Sequence, residues 1–355
     1  MESANDRRRQ KNYKRIIRLH YKMIRRELLM LSTLPATEWL KINPRVASPN
    51  PRYKYKWIRD EAICMRTILT GVRRGVIDRK MGTSVLRGYL TTTKSDQMYD
   101  LGEPKFELDG TPFRGPWARP QNDGPALRAL SQMHISMYTG DFTETWHSNI
   151  TTDLDYVAEH CMDESYDLWE ERKGVHPFNL MVYAKALRSG KILAPTMEQR
   201  EKYQKAYDDI VHYRPATVRL DSSLIMGCLY GDRLFFTQDE ILDIKETLKK
   251  TFKEEYSINK NADAVLYGRY PNDTYDGYAT DGLGNTWILV TCCIAEYLAK
   301  VGDVEEAKAM LDRVKSFGPW YSEQIHRDTG LMTGVEDLSW SYASLVSAED
   351  YLLRP

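Results

Sequence analysis

The stretch Asn285-Thr-Trp-Ile-Leu-Val-Thr-Cys-Cys-Ile-Ala-Glu-Tyr-Leu-Ala-Lys-Val-Gly-Asp303 runs straight into Val304-Glu-Glu-Ala-Lys-Ala-Met-Leu-Asp-Arg-Val-Lys-Ser316. Apolar residues recur every three or four positions through both halves, the 3.6-residue period of helices. Asp303 stands at the join, where a second helix needs an N-cap. The sequence therefore predicts two helices back to back, over 285–301 and 304–316. The same spacing marks segments near 12–32, 59–75, 80–93, 124–139, 150–162, 177–190, 197–213, 221–229, 237–254 and 337–353. That makes about twelve helices, with Asp123 and Thr196 as further candidate caps. Two-residue alternation, the mark of half-buried strands, is scarce. No Gly/Ser-rich or Pro-rich linker divides the chain, so residues 1–355 read as one all-α domain.

Between these helices lie long connections, notably 98–122, 163–176, 256–284 and 317–336, rich in Trp, Tyr, Gly, Pro, Asp and Arg. Connections on helical scaffolds are usually short, and long structured ones tend to carry function. Flat rings stack on the apolar faces of pyranoses, and carboxylates and guanidinium groups hold hydroxyls through charge-assisted hydrogen bonds. The loops thus have the composition of a sugar site.

The rest of the composition narrows the field. Hydrophobic residues make up 42% and charged residues 28% of the chain, enough apolar material for a sizeable core. No run of 18 apolar residues exists, which argues against a transmembrane helix. Residues 1–30 hold ten Lys or Arg against three acids, leaving 40 basic and 47 acidic residues, a net −7, in 31–355. A mildly acidic body argues against nucleic acid as a partner. The five cysteines, Cys64, Cys161, Cys228, Cys292 and Cys293, are odd in number and lack CxxC spacing, so they read as reduced thiols. With no signal-peptide pattern at the N-terminus, an intracellular protein is expected. The sequons at Asn149 and Asn272 oppose that reading mildly.

Two glutamates stand side by side in Ser165-Tyr-Asp-Leu-Trp-Glu-Glu-Arg172. Cleaving a glycosidic bond needs a carboxyl group still protonated near neutral pH, and a neighbouring carboxylate and an aromatic wall both push a glutamate that way. Glu170, between Trp169 and Glu171, fits; an exposed acidic helix start would look the same. A second carboxylate must activate water from the other face of the sugar, and Trp320-Tyr-Ser-Glu-Gln-Ile-His-Arg-Asp328 offers Glu323. In Tyr53-Lys-Tyr-Lys-Trp-Ile-Arg-Asp60 an Arg-Asp pair opens a helix and could clamp two hydroxyls, although Asp60 could equally be an ordinary N-cap. Trp117-Ala-Arg-Pro-Gln-Asn-Asp-Gly-Pro-Ala126 and Gly268-Arg-Tyr-Pro-Asn-Asp-Thr-Tyr275 each join rings to a guanidinium.

Taken together, these stretches resemble the glucoamylases of glycoside hydrolase family 15. The resemblance rests on Ala47-Ser-Pro, Tyr53–Asp60, Leu101-Gly-Glu-Pro-Lys-Phe106, Arg119-Pro-Gln-Asn-Asp-Gly-Pro-Ala-Leu-Arg-Ala129 and Asp167-Leu-Trp-Glu-Glu171. It continues through Gly268-Arg-Tyr-Pro, Ser322-Glu-Gln324 and Asp337-Leu-Ser-Trp-Ser-Tyr342, all in the family's order from about residue 46 to the C-terminus. It is strongest to fungal and yeast members, and Tyr275-Asp-Gly to Gly284-Asn-Thr-Trp287 looks like the longer yeast loop. The resemblance implies an (α/α)6 barrel and an exo-acting, inverting hydrolase releasing β-glucose from non-reducing ends of α-1,4-glucans. In it Glu170 matches the general acid and Glu323 the general base. Glu171 matches a residue on the leaving-sugar side, and Arg59 and Asp60 the pair binding the terminal glucose. Tyr53, Trp57, Trp117, Leu168, Trp169, Arg269 and Trp340 match substrate-side positions. Neither metal nor organic cofactor is implied, and a monomer is expected.

Departures from the family pattern bear on substrate preference. The chain is shorter than many family domains, Arg172 follows the Glu pair, Glu336 replaces a usual arginine, and Thr286 a usual proline. No starch-binding module is expected, as the sequence closes at Pro355. Two other readings share the resemblance: a related exo-hydrolase of another linkage, like glucodextranase or trehalase, and a non-catalytic regulator like the phosphorylase kinase subunit. The basic N-terminal segment reads as an outer barrel helix with the apolar stripe Ile16, Leu19, Met23, Ile24 and Leu28, or as an anionic-surface contact through Arg7, Arg8, Arg9 and Lys11.

Overall fold

The computed structural model describes residues 46–353, apart from 98, 142–143 and 216–217. Eleven helices occur among the described residues: α1 Ile58–Arg74, α2 Arg79–Asp96, α3 Asp123–Thr139, α4 Glu144–His160, α5 Pro177–Leu193 and α6 Met197–His212, then α7 Ser223–Tyr230, α8 Gln238–Glu255, α9 Ile288–Val301, α10 Val304–Lys315 and α11 Ser339–Leu352. The helix expected over 12–32, with its apolar stripe and basic cluster, lies outside the described residues. Seven two-residue strands and a 3-10 turn at Ser257–Asn259 join the described helices. The strands are β1 Lys56–Trp57 with β2 Lys105–Phe106, β3 Ser165–Tyr166 with β4 Lys173–Gly174, and the three-stranded β5 Thr286–Trp287, β6 Gln324–Ile325, β7 Met332–Thr333.

The odd-numbered helices form a closed ring, each packing on the next and α11 returning to α1, while α2, α4, α6, α8 and α10 each lie outside the inner helix that precedes them. This is the (α/α)6 arrangement. The sequence dictates which layer a helix joins. In α9 every residue from Ile288 to Ala299 is buried, and α11 is buried almost as completely. Helices that are apolar all round belong inside. By contrast α6 buries only Tyr203, Ala206 and Ile210, α8 Ile241, Lys245, Leu248 and Phe252, and α10 Ala307, Met310, Leu311 and Val314. Those are single stripes with charged residues on the opposite face.

Three of the outer helices, α6, α8 and α10, are capped conventionally. Thr196 accepts from the Gln199 amide, Asp303 from Glu306, and Thr237 with Glu240 forms a full capping box. Asp123 is a correction: it is not a cap, but the first residue of α3, fully buried and paired with Arg59. Asp60 is not a cap either; Trp57 holds that position for α1. Two boundaries also differ. Thr286 and Trp287 are paired to β6 before α9 begins, and α4 starts at Glu144, well before the expected 150.

Four of the five cysteines are buried and none is bonded to another. No helix among the described residues is long and apolar enough to cross a membrane.

Candidate active site

The connections leading into the inner helices meet at one end of the ring, where the helix N-termini present partial positive charge. They enclose a cavity of about 560 Å3, within the range of small-molecule sites. The approach to α1 supplies Tyr53, Trp57, Arg59 and Asp60, that to α3 Trp117, and that to α5 Leu168, Trp169, Glu170 and Glu171. The long loop before α9 adds Arg269, and the last connection and α11 add Glu323 and Trp340. All the residues selected from the sequence line this cavity. Leu289 of α9, Leu338 just before α11 and Trp340 of α11 also line it, and the Trp340 indole donates to buried Tyr230 Oη at 3.3 Å.

Glu170 sits at the tip of the β3–β4 turn. Asp167 builds that turn, its backbone carbonyl accepting from Glu170 N and its carboxylate accepting from the amides of Glu171 (2.8 Å) and Arg172 (3.2 Å). The turn holds Glu170 at φ +64°, a left-handed conformation that a non-glycine residue adopts at a cost and that recurs at functional sites. One carboxylate oxygen accepts from Arg59 Nη2 at 3.2 Å and the other from Trp117 Nε1 at 2.7 Å. Arg59 is held in turn by Asp123 at 3.0 Å and Gln121 at 2.6 Å. Beside it, burial pushes the Asp60 carboxyl up to about 7, against the pull of Arg59.

Glu171, adjacent in sequence, points to a different partner set. Its carboxylate accepts from Arg269 Nη2 at 2.6 Å and from Tyr270 Oη. Asp273 binds Arg269 bidentately at 2.8 and 2.6 Å, a geometry that fixes the guanidinium plane. Trp169, Tyr270, Tyr275 and Trp287 surround that guanidinium at 5.1–5.6 Å from ring centroid to Cζ. The sequence suggested Glu171 as the neighbour that perturbs Glu170; in the structure Arg269 neutralises it.

Glu323 lies just before β6, anchored by its amide donating to Val335 O at 2.7 Å. Its side chain is 2% exposed. Oε1 accepts from Tyr53 Oη at 3.1 Å, and Oε2 from Tyr275 Oη at 3.4 Å and Gln324 Nε2 at 3.2 Å. Burial pushes this carboxyl up to about 7, partly offset by the Tyr53 hydrogen bond and the charge of Arg269. Gly334 makes room for it: at φ +75°, a Cβ there would stand 2.7 Å from Glu323 Oε2.

Several lining residues carried no signal strong enough to single them out. Tyr275, Thr280 and Trp287 lie within stretches that drew attention only as blocks, and Arg52 belongs to no pattern. Among the described residues no group of three or more His, Cys, Asp or Glu side chains is placed to hold a metal.

Comparison with known proteins bears on the family and the fold. The family model Glycosyl hydrolases family 15 matches residues 45–217. A probable glucoamylase of Schizosaccharomyces pombe is 30% identical over a 385-position alignment that covers 86% of this chain and 84% of that protein. The glucoamylase of Blastobotrys adeninivorans is 27% identical, and this chain, 84% of it aligned, spans 65% of that longer protein. The solved glucoamylase of Saccharomycopsis fibuligera superimposes with a TM-score of 0.72 at 24% identity, covering 86% of this chain and 88% of that one. For Hormoconis resinae glucoamylase the values are 0.76, 24%, 91% and 73%. The structural likenesses speak to the fold, and the sequence relationship to descent. This chain belongs to glycosyl hydrolases family 15, where its relatives are glucoamylases.

Proposed function

We propose that this enzyme removes single glucose units from the non-reducing ends of α-1,4-glucans by one inverting displacement, with Glu170 as general acid and Glu323 as general base. One observation carries the assignment: two glutamates about 150 residues apart in sequence open into the same cavity with contrasting surroundings. Glu170 is held by Trp117 and Arg59 at the edge of the cavity, where it can protonate a departing glycosidic oxygen. Glu323, buried among hydroxyl and amide donors, can take a proton from a water attacking the other face of the ring. Its raised proton affinity makes it a stronger base. Tyr53, donating to Glu323, also offers electron-rich oxygen near the charge that develops on the sugar.

Exo action follows from the family resemblance, in which the Arg59–Asp60 pair closes the pocket around a terminal glucose. Arg59 and Asp60 would hold the outer hydroxyls of the terminal glucose, and Glu171 and Arg269 the leaving sugar. The names of the relatives favour glucoamylase activity, and the α-1,4 linkage is the first to test.

The test is stereochemical. Purified protein is mixed with maltose, isomaltose, trehalose and soluble starch, and the first product is followed by proton NMR before mutarotation. β-Glucose from maltose and starch is the expected result. Initial α-glucose would mean double displacement and would remove Glu323 from the role of base.

A further inference from the structure

The segment Leu101-Gly-Glu-Pro-Lys-Phe106 has no part in the chemistry above, yet it is built tightly against the site. Gly102 O accepts from Gln121 N at 2.9 Å, and Pro104 O from Ile58 N at 3.0 Å. Glu103 accepts from Arg119 Nε at 2.6 Å, and Arg119 in turn donates to the carbonyls of Phe113 (2.7 Å) and Gly115 (3.2 Å). Lys105 is paired across β1–β2 with Trp57, and its carbonyl accepts from Phe113 N at 2.9 Å.

The Lys105 ammonium is buried without a carboxylate in ion-pair contact among the described residues. Four rings surround it instead, with centroids at 3.9 Å (Trp117), 4.0 Å (Tyr55), 4.0 Å (Phe113) and 4.7 Å (Trp57). Those rings close on one another: Tyr55 on Trp57, Trp57 on Trp117, Trp117 on Phe113 and Phe113 on Tyr55, each pair edge-to-face at 5.4–6.1 Å. Attraction between a cation and aromatic faces is strongest where the cation is stripped of water. Burial lowers the Lys105 ammonium from its ordinary value, as such stripping requires.

Trp117 is 38% exposed, so solvent takes the place of packing on part of its ring. It is also the residue whose indole holds Glu170 at 2.7 Å, on a turn tip where backbone contacts do not orient the carboxylate. We propose that Lys105 is a positioning residue: its caged ammonium fixes the Trp117 ring, and through it the carboxyl of Glu170. The proposal rests on the reading of Glu170 as general acid.

The test compares two substrates. Maltose needs its leaving oxygen protonated; α-glucosyl fluoride loses fluoride as a stable anion when its C1–F bond breaks and needs no acid. Lys105→Met should lose about 10- to 100-fold in kcat on maltose, the scale of a slightly misplaced catalytic group. On the fluoride the loss should stay within about threefold, small against that scale. Lys105→Arg, which keeps a cation able to stack on rings, should recover most of the maltose activity, and tryptophan emission should shift in the Met variant but not in the Arg variant. Should Lys105→Met fold poorly by circular dichroism, Phe113→Leu opens one wall of the cage and carries the same contrast. Equal losses on both substrates, or unchanged kinetics on both, would overturn the proposal. Glu170→Gln run alongside separates the failures. If it keeps maltose turnover, the acid assignment falls and the proposal with it; if it is dead on maltose while Lys105→Met is unaffected, the proposal alone falls.

Discussion

The corner that holds Glu170 and the corner that holds Glu323 solve different problems with the same side chain. Glu170 stands on a left-handed turn, its side chain 22% exposed, gripped by a guanidinium and an indole. Glu323 lies just before the middle strand of a three-stranded sheet, 2% exposed, touched only by neutral donors among the described residues. A group that gives a proton in every cycle must regain one from solvent, and partial exposure serves that. A group that takes a proton from water gains by being dry, because burial strengthens it as a base. The environment, and not the residue type, divides the two roles.

The largest effect should come from breaking that division at the acid. Glu170→Gln should cut kcat on maltooligosaccharides by on the order of 10²–10⁴, the range for a lost general acid, and spare α-glucosyl fluoride. Glu323→Gln should lose both substrates, since water must still be activated. Parallel kinetics of the two variants on both substrates is the check; if both spare the fluoride, the two corners do not differ as described.

A smaller effect tests the ground beside the acid corner. Asp60 is held near Arg59 with its carboxyl raised by burial, and it should lock onto a sugar hydroxyl. Asp60→Ala should lower kcat/KM on maltose by about 2–5 kcal/mol, the scale of one or two charged hydrogen bonds. An unchanged kcat/KM with reduced Tm would make Asp60 a purely structural carboxylate.

The two corners also differ in how visible they were in sequence. The twin glutamates, Trp169 and the Arg59–Asp60 pair stand in short motifs, so local chemistry announces them. The helices were legible for a related reason: burial leaves a 3.6-residue stripe in α6, α8 and α10, whatever the partner. What could not be read depends on ring closure. Asp123 looks like a cap because caps and buried ion-pair acids share one residue type, and its partner Arg59 lies 64 residues away. Thr286 and Trp287 make a two-residue strand, too short to leave any period, and Glu144–Asn149 offered no apolar stripe to extend α4. Apart from the adjacent Gln324, the surroundings of Glu323 come from afar, because Tyr53 reaches it from 270 residues upstream and Gly334 matters only for the side chain it lacks. Lys105 was quoted within a motif, but only the fold shows the four rings around it.

The smallest effect, and the finest probe of the base corner, concerns Tyr275. Its hydroxyl donates to Glu323 Oε2 at 3.4 Å, a long contact that still favours the ionised carboxyl. Glu323 must be ionised to accept a proton, so activity falls on the acid side as pH drops through its value, about 7 in the unliganded site. Tyr275→Phe removes a donor to the charged form, which raises the value further and moves the acid limb of kcat/KM to higher pH. The shift should be about half a unit, since a neutral hydrogen bond contributes roughly 0.5–1.5 kcal/mol and one unit is about 1.4. Well above the limb, turnover should return close to that of the parent enzyme, whereas a packing defect would lower it at every pH. Stability supplies an independent sign. A carboxyl raised in the folded state contributes most when protonated, so Tm should decline as pH rises through about 7. In Tyr275→Phe that decline should continue to higher pH and so be larger in total, because the ionised form has lost a donor. A limb that moves down, or a Tm that improves with rising pH, would mean that Tyr275 does not support the ionised base.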